Sequence, residues 1–95
     1  MLFAVKIRQL REEQQLLQRE LASALEIDTP MYSKIERGER PAKREQVIII
    51  SNILKYNKEE LLTLWLADKI LIEVKEEKEL ANNALSIAQR ILNSK

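Results

Sequence analysis

Glycine occurs once and proline twice in this 95-residue chain. Almost nothing in it interrupts a helix, because these two residues are the strongest local punctuators of the backbone. Long runs of Leu, Ile, Ala, Glu, Lys, Gln and Arg fill the space between them, all residues that lose little on becoming helical. The chain therefore reads as all-α. Its length suits one compact domain plus an appended element rather than two independent cores.

The hydrophobic pattern divides the chain. Phe3, Ile7 and Leu10 recur at spacings of four and three, which predicts a first helix over 3–14. Leu21, Ala22 and Leu25 form one face of a shorter helix over 18–25. A break near Glu26–Asp28 follows. Asp28 is an N-cap and Pro30 falls in the first turn, where its missing N–H costs nothing. A third helix should run from Thr29 to Arg37 and stop at the lone Gly38, the residue that accepts the left-handed backbone of a helix end. Pro41 delays resumption until a fourth helix over 43–55, with Val47, Ile50 and Leu54 inward and Ile49 and Ile53 added to that stripe. The β-branched run Val47–Ile50 could pass for a strand, but its charged flanks and lack of turn signals favour helix. Asn57 with Glu60 has capping-box spacing and opens a fifth helix. From Leu66 to Leu92 the periodicity fits one continuous helix or two.

Composition narrows the function. Apolar residues make up 45% of the chain and charged residues 33%, a folded soluble balance. No apolar run reaches the roughly 20 residues that span a bilayer, and Met1–Val5 is too short for a secretory core. A cytoplasmic protein is expected. Histidine and cysteine are both absent. That removes the commonest general base, the commonest metal ligand and all thiol chemistry, and neither an enzyme nor a cofactor is expected. The lack of cysteine leaves the redox compartment open. The acidic run over 73–79 reads as a solvated helix face. Net charge is only +1, yet residues 34–44 carry five basic side chains against two acidic ones. A local basic edge suits a protein that touches a few phosphates and leaves specificity to base contacts.

Two short helices joined by a tight turn, the second exposed, form the arrangement that lets a helix enter a DNA major groove. Here Leu21, Leu25, Ile27, Tyr32 and Ile35 would make the buried side, and small Ala22 the close helix approach. The pattern Gln18-x-x-Leu21-Ala22, then Ile27, then Tyr32-Ser33-Lys34-Ile35-Glu36-Arg37-Gly38, resembles the lambda-repressor-like, or XRE-type, helix-turn-helix regulators. The likeness covers about residues 3–66 and includes Ile7-Arg8-x-Leu10-Arg11. It implies a compact five-helix DNA-binding domain over 1–66 and a helical extension over 67–95 for dimerisation or partner binding.

The resemblance also implies roles for single residues. Thr29, Pro30, Ser33 and Lys34 would face base edges, with Thr29 and Lys34 nearest and the lysine suited to guanine. Gln18, Arg37, Arg40 and Lys43 would meet phosphates, and the Tyr32 hydroxyl could join them from the core. Arg11 and Glu36 would form a scaffold ion pair. Two positions depart from the family pattern, Glu26 where a turn glycine is usual and Leu17 where a Thr or Ser cap is usual. The expected partners are double-stranded DNA and a second copy of the chain, acting as a dimeric repressor. The competing reading is a helical interaction module, antitoxin-like, whose C-terminal helix binds another protein.

Overall fold

The computed structural model describes residues 1–94; Lys95, the last residue of the extension drawn from the sequence, lies outside them. Six α-helices follow in order: α1 Leu2–Glu13, α2 Gln18–Leu25, α3 Thr29–Glu36, α4 Arg44–Leu54, α5 Lys58–Val74 and α6 Lys78–Asn93. The all-α class expected from the sequence holds, with α1 to α4 and the first half of α5 within residues 1–66, α5 running across that position and α6 beyond it. None of these helices is long and apolar enough to cross a membrane.

The helix ends show how this chain turns with a single glycine. Beyond α3, Gly38 N–H donates to Ile35 O and Glu39 N–H to Lys34 O, the paired bonds that satisfy the last carbonyls of a helix. Gly38 has φ +74°, and a Cβ there would stand 2.7 Å from Met1 Cγ, so both backbone and space demand glycine. The same paired bonds close α1, α2 and α4, but the left-handed positions are Gln15, Glu26 and Lys55, with φ of 58°, 58° and 54°. Each of these costs on the order of 1 kcal/mol relative to a relaxed backbone. Among the N-termini, Asp28 Oδ1 accepts from Met31 N–H and Asn57 Oδ1 from Glu60 N–H, both at 2.8 Å.

The core lies between α1, α2, α3, α4 and the first half of α5. Ile7, Leu21, Tyr32, Val47, Ile50 and Leu61 are fully enclosed at its centre. Ile27 and Ile53 pack only partly against it, and Ile49, expected in the core stripe of α4, is exposed. The reason is angular: Val47, Ile50 and Leu54 already fill the one face of α4 that meets α2 and α5. Polar links finish the packing. Gln14 Nε2 donates to the last carbonyl of α4, Leu54 O, at 2.6 Å. Trp65 is half-buried and donates Nε1–H to Ala42 O at 2.8 Å, which ties α5 to the loop after α3.

No break at residue 66 separates the five-helix domain from the extension; α5 continues to Val74. Asp68, two residues beyond that boundary, is buried and caps α1 from a distance. Its Oδ1 accepts from Leu2 N–H at 2.8 Å and its Oδ2 from Phe3 N–H at 2.9 Å. The chain then bends at Lys75–Glu77 and restarts as α6, so the stretch from 66 to 92 holds two helical segments. Glu73, Glu76 and Glu77 stand three and four residues apart there, and their mutual repulsion disfavours continuous helix.

Candidate nucleic-acid interface

Residue by residue, α3 is split cleanly into an inner and an outer face. Tyr32, Ile35 and Glu36 are buried, whereas Thr29, Pro30 and Lys34 are exposed and Ser33 is half-exposed. Helical spacing puts 29, 33 and 37 in one row, with 30 and 34 beside it. The helix begins at Asp28 and is lifted off the surface by α2, which packs behind it through Leu21, Ala22 and Leu25. Glu26 supplies the turn between them in a left-handed conformation despite its Cβ.

One buried carboxylate holds this unit to α1. Glu36 accepts from Arg11 Nε at 2.6 Å and Arg11 Nη2 at 3.0 Å, a two-pronged ion pair with side-chain exposures of 12% for the arginine and 1% for the glutamate. Gln18 Nε2 adds a third donor at 3.1 Å. Burial alone would raise the Glu36 pKa. The bonds from Arg11 and Gln18, with the Tyr32 hydroxyl nearby, outweigh it and hold the carboxyl below its usual range. Arg11 also donates Nη1–H to Leu16 O at 2.9 Å, so the same side chain braces the loop before α2.

Tyr32 needs a correction to its expected role. It is wholly buried, so its hydroxyl does not reach the face where a phosphate would lie. The oxygen also makes no hydrogen bond of proper geometry. Burial first, and then the negative Glu36, push the phenol far above its ordinary pKa. The residue serves as core packing behind the outer face.

The remaining expected phosphate residues lie at the surface. Gln18, at the start of α2, commits one amide proton to Glu36 and keeps a second, since the side-chain amide carries two. Leu17 cannot cap α2 with its side chain; instead Glu20 Oε2 accepts the Leu17 N–H at 2.7 Å. Arg37 is exposed but occupied, donating to Glu39 at 2.8 and 3.1 Å and to Ser33 Oγ at 2.7 Å. Such a surface pair is weak, so an incoming phosphate can displace Glu39. Arg40 and Lys43 are exposed on the loop after α3. Together with Arg44 and Lys69 they line an open cleft of about 660 Å³ against Met31 and Trp65. Lys69, whose ammonium sits 4.3 Å from the Trp65 ring centroid, went unassigned in the sequence. It joins the basic edge only because α5 folds back beside the α3–α4 loop, and no local pattern announces that.

A family model described as helix-turn-helix matches residues 7–61, more than half of the chain, including all of α2, α3 and α4 but not Trp65 or Lys69. The chain belongs to the lambda-repressor-like helix-turn-helix family. Neither curated proteins nor solved structures return a match. The family is one of DNA-binding transcription regulators, and membership suggests that class of role for this helix-turn-helix protein. Within the matched span α2 and α3 form the helix pair, and α1, α4 and the start of α5 form the support behind it. The match stops before Asp68, α6 and the exposed apolar residues around them.

Proposed function

We propose that this protein is a homodimeric, sequence-specific DNA-binding regulator, acting as a repressor in the cytoplasm. α3 enters the major groove and presents Thr29, Pro30, Ser33 and Lys34 to base edges. Gln18, Arg37, Arg40 and Lys43 fix the register on phosphates at either side. The observation that carries this reading is the outer face of α3. Its side chains are unburied, they stand on a helix braced by a buried ion pair, and a basic edge borders them. Lys34 is exposed and makes no salt bridge among the described residues, so its ammonium is available to a guanine edge. One helix of this length reads only a few base pairs, and two copies about 34 Å apart would supply the specificity of a full operator.

Selection of binding sites from a randomised duplex library at near-physiological salt tests the proposal. Wild type should enrich a pseudo-palindromic site. Lys34→Ala should relax one position per half-site, and Arg40→Ala should weaken all sequences alike and lower the salt slope by about one unit. A folded protein that enriches no sequence would refute it.

The exposed apolar face of α6 favours a second reading, an antitoxin-like module that binds another protein through that helix. Under it, neutralising Arg40 and Lys43 would leave partner binding intact while DNA selection fails.

A further inference from the structure

The cleft beside α3 offers more than the backbone of a duplex can use. Arg40, Lys43, Arg44 and Lys69 line it, and no carboxylate does. None of the four makes a salt bridge among the described residues. The acidic side chains next to two of them in sequence are held elsewhere: Glu39 accepts from Arg37, and Asp68 caps α1. α4 also begins at this cleft, with Gln46 in the wall and no side chain capping its first N–H groups. Its N-terminus therefore adds to the positive potential. A cleft walled by one sign of charge focuses its field on whatever anion enters.

The same cleft has an apolar floor. Ile27, Met31 and Trp65 line it and are half-buried, whereas the four cations are exposed and form its rim. The Trp65 ring is fixed in place, with Nε1–H on Ala42 O and the Lys69 ammonium 4.3 Å from its centroid. A ring already held offers stacking without first having to be ordered. The volume of about 660 Å³ falls within the roughly 300–1,000 Å³ of small-molecule sites. A duplex carries its phosphates on its surface and keeps its bases stacked, so it reaches the rim of such a cleft but not the floor. We propose that the cleft binds a free nucleotide, its phosphates among the rim cations and its base on Trp65 and Met31. Trp65 and Lys69 lie beyond the matched helix-turn-helix span, so half of this site belongs to the chain's own α5. Arg40 and Lys43 also meet DNA phosphates in the function proposed above. On that reading, which this consequence rests on, nucleotide and operator exclude each other.

Trp65 is the only tryptophan, so its fluorescence reports occupancy of the cleft in the full-length protein without DNA. ATP and GTP would be titrated at constant ionic strength, with inorganic triphosphate and potassium chloride run alongside. At least one nucleotide should give a saturable change, at lower concentration than triphosphate. Lys69→Glu and Arg44→Ala, on two different helices and both checked for folding by circular dichroism, should each raise the midpoint about tenfold or more. Lys58→Glu, exposed and outside the cleft, should leave it unchanged. At about ten times its dissociation constant the nucleotide should weaken duplex binding about tenfold. No saturable change with either nucleotide, triphosphate binding as tightly, or unchanged midpoints in both cleft variants would overturn the inference. So would a fluorescence change that only duplex DNA produces, which would give the cations to the backbone alone. Duplex affinity untouched by saturating nucleotide would overturn the exclusion. A protein that binds nucleotide but selects no DNA sequence would refute the DNA-binding reading and leave this site standing.

Discussion

Replacing Asp68 with alanine tests whether α5 beyond residue 66 belongs to the folding unit. Both oxygens of that carboxylate accept backbone N–H groups of α1, at 2.8 and 2.9 Å, in a setting where the aspartate is only 7% exposed. Hydrogen bonds to a charged acceptor contribute about 1.5–3 kcal/mol each, and a buried donor left without a partner costs about 1–3 kcal/mol. Against this, the mutant no longer has to desolvate a carboxylate. One of the two donors, Leu2 N–H, is near enough to the surface for water to replace part of its bond. The net loss should then be about 2–3 kcal/mol. In a domain of 60–100 residues each kcal/mol moves the melting temperature by about 4–8 °C, so a fall of about 10–20 °C is expected in a circular dichroism melt. Asp68→Asn keeps one acceptor oxygen and should lose about half as much. A fall of under about 3 °C for Asp68→Ala would show that water caps α1 as well as the carboxylate does. The second half of α5 would then be a mere appendage.

The other predictions concern the site's support. Arg11→Leu should destabilise the fold by about 3–5 kcal/mol, because it leaves the Glu36 carboxylate buried without its counter-charge, and a urea titration would measure the loss. The Glu36 carboxyl is held below its ordinary value of 4.5 in the fold. Its stabilising contribution is therefore complete above that value and fades as the pH falls through the lower folded one. The stability gap between wild type and Glu36→Gln should be constant near neutrality and shrink below about pH 4.5; a gap that instead widens on acidification would contradict the ion-pair account. Glu26→Gly should stabilise the protein by up to about 1 kcal/mol, since Glu26 holds φ 58° with a Cβ in place. A loss of stability there would mean that the glutamate side chain makes up for its backbone strain.

Most of the helix-turn-helix could be read along the chain because its determinants are local. Asp28, Pro30 and Gly38 bracket α3 within eleven positions, and the spacing of Leu21, Ala22, Leu25, Tyr32 and Ile35 marks the inner face, leaving 29, 30, 33 and 34 outward. The ends of α1, α2 and α4 were less legible, since Gln15, Glu26 and Lys55 adopt a backbone that a sequence usually advertises with glycine. Their boundaries had to come from where the apolar period lapsed.

Periodicity, caps and one glycine by themselves determined that the chain is all helix and which face of α3 points outward, for each is set by side chains within a turn or two of one another. Only the tertiary structure decided the rest. It buried Tyr32 completely and took its hydroxyl away from the surface. It brought Lys69 to the basic edge beside Arg40, and it placed Asp68 at the head of a helix 65 residues earlier in the chain. It also left α6 uncovered. These outcomes depend on how helices distant in sequence pack together, and a residue's neighbours along the chain carry no record of that.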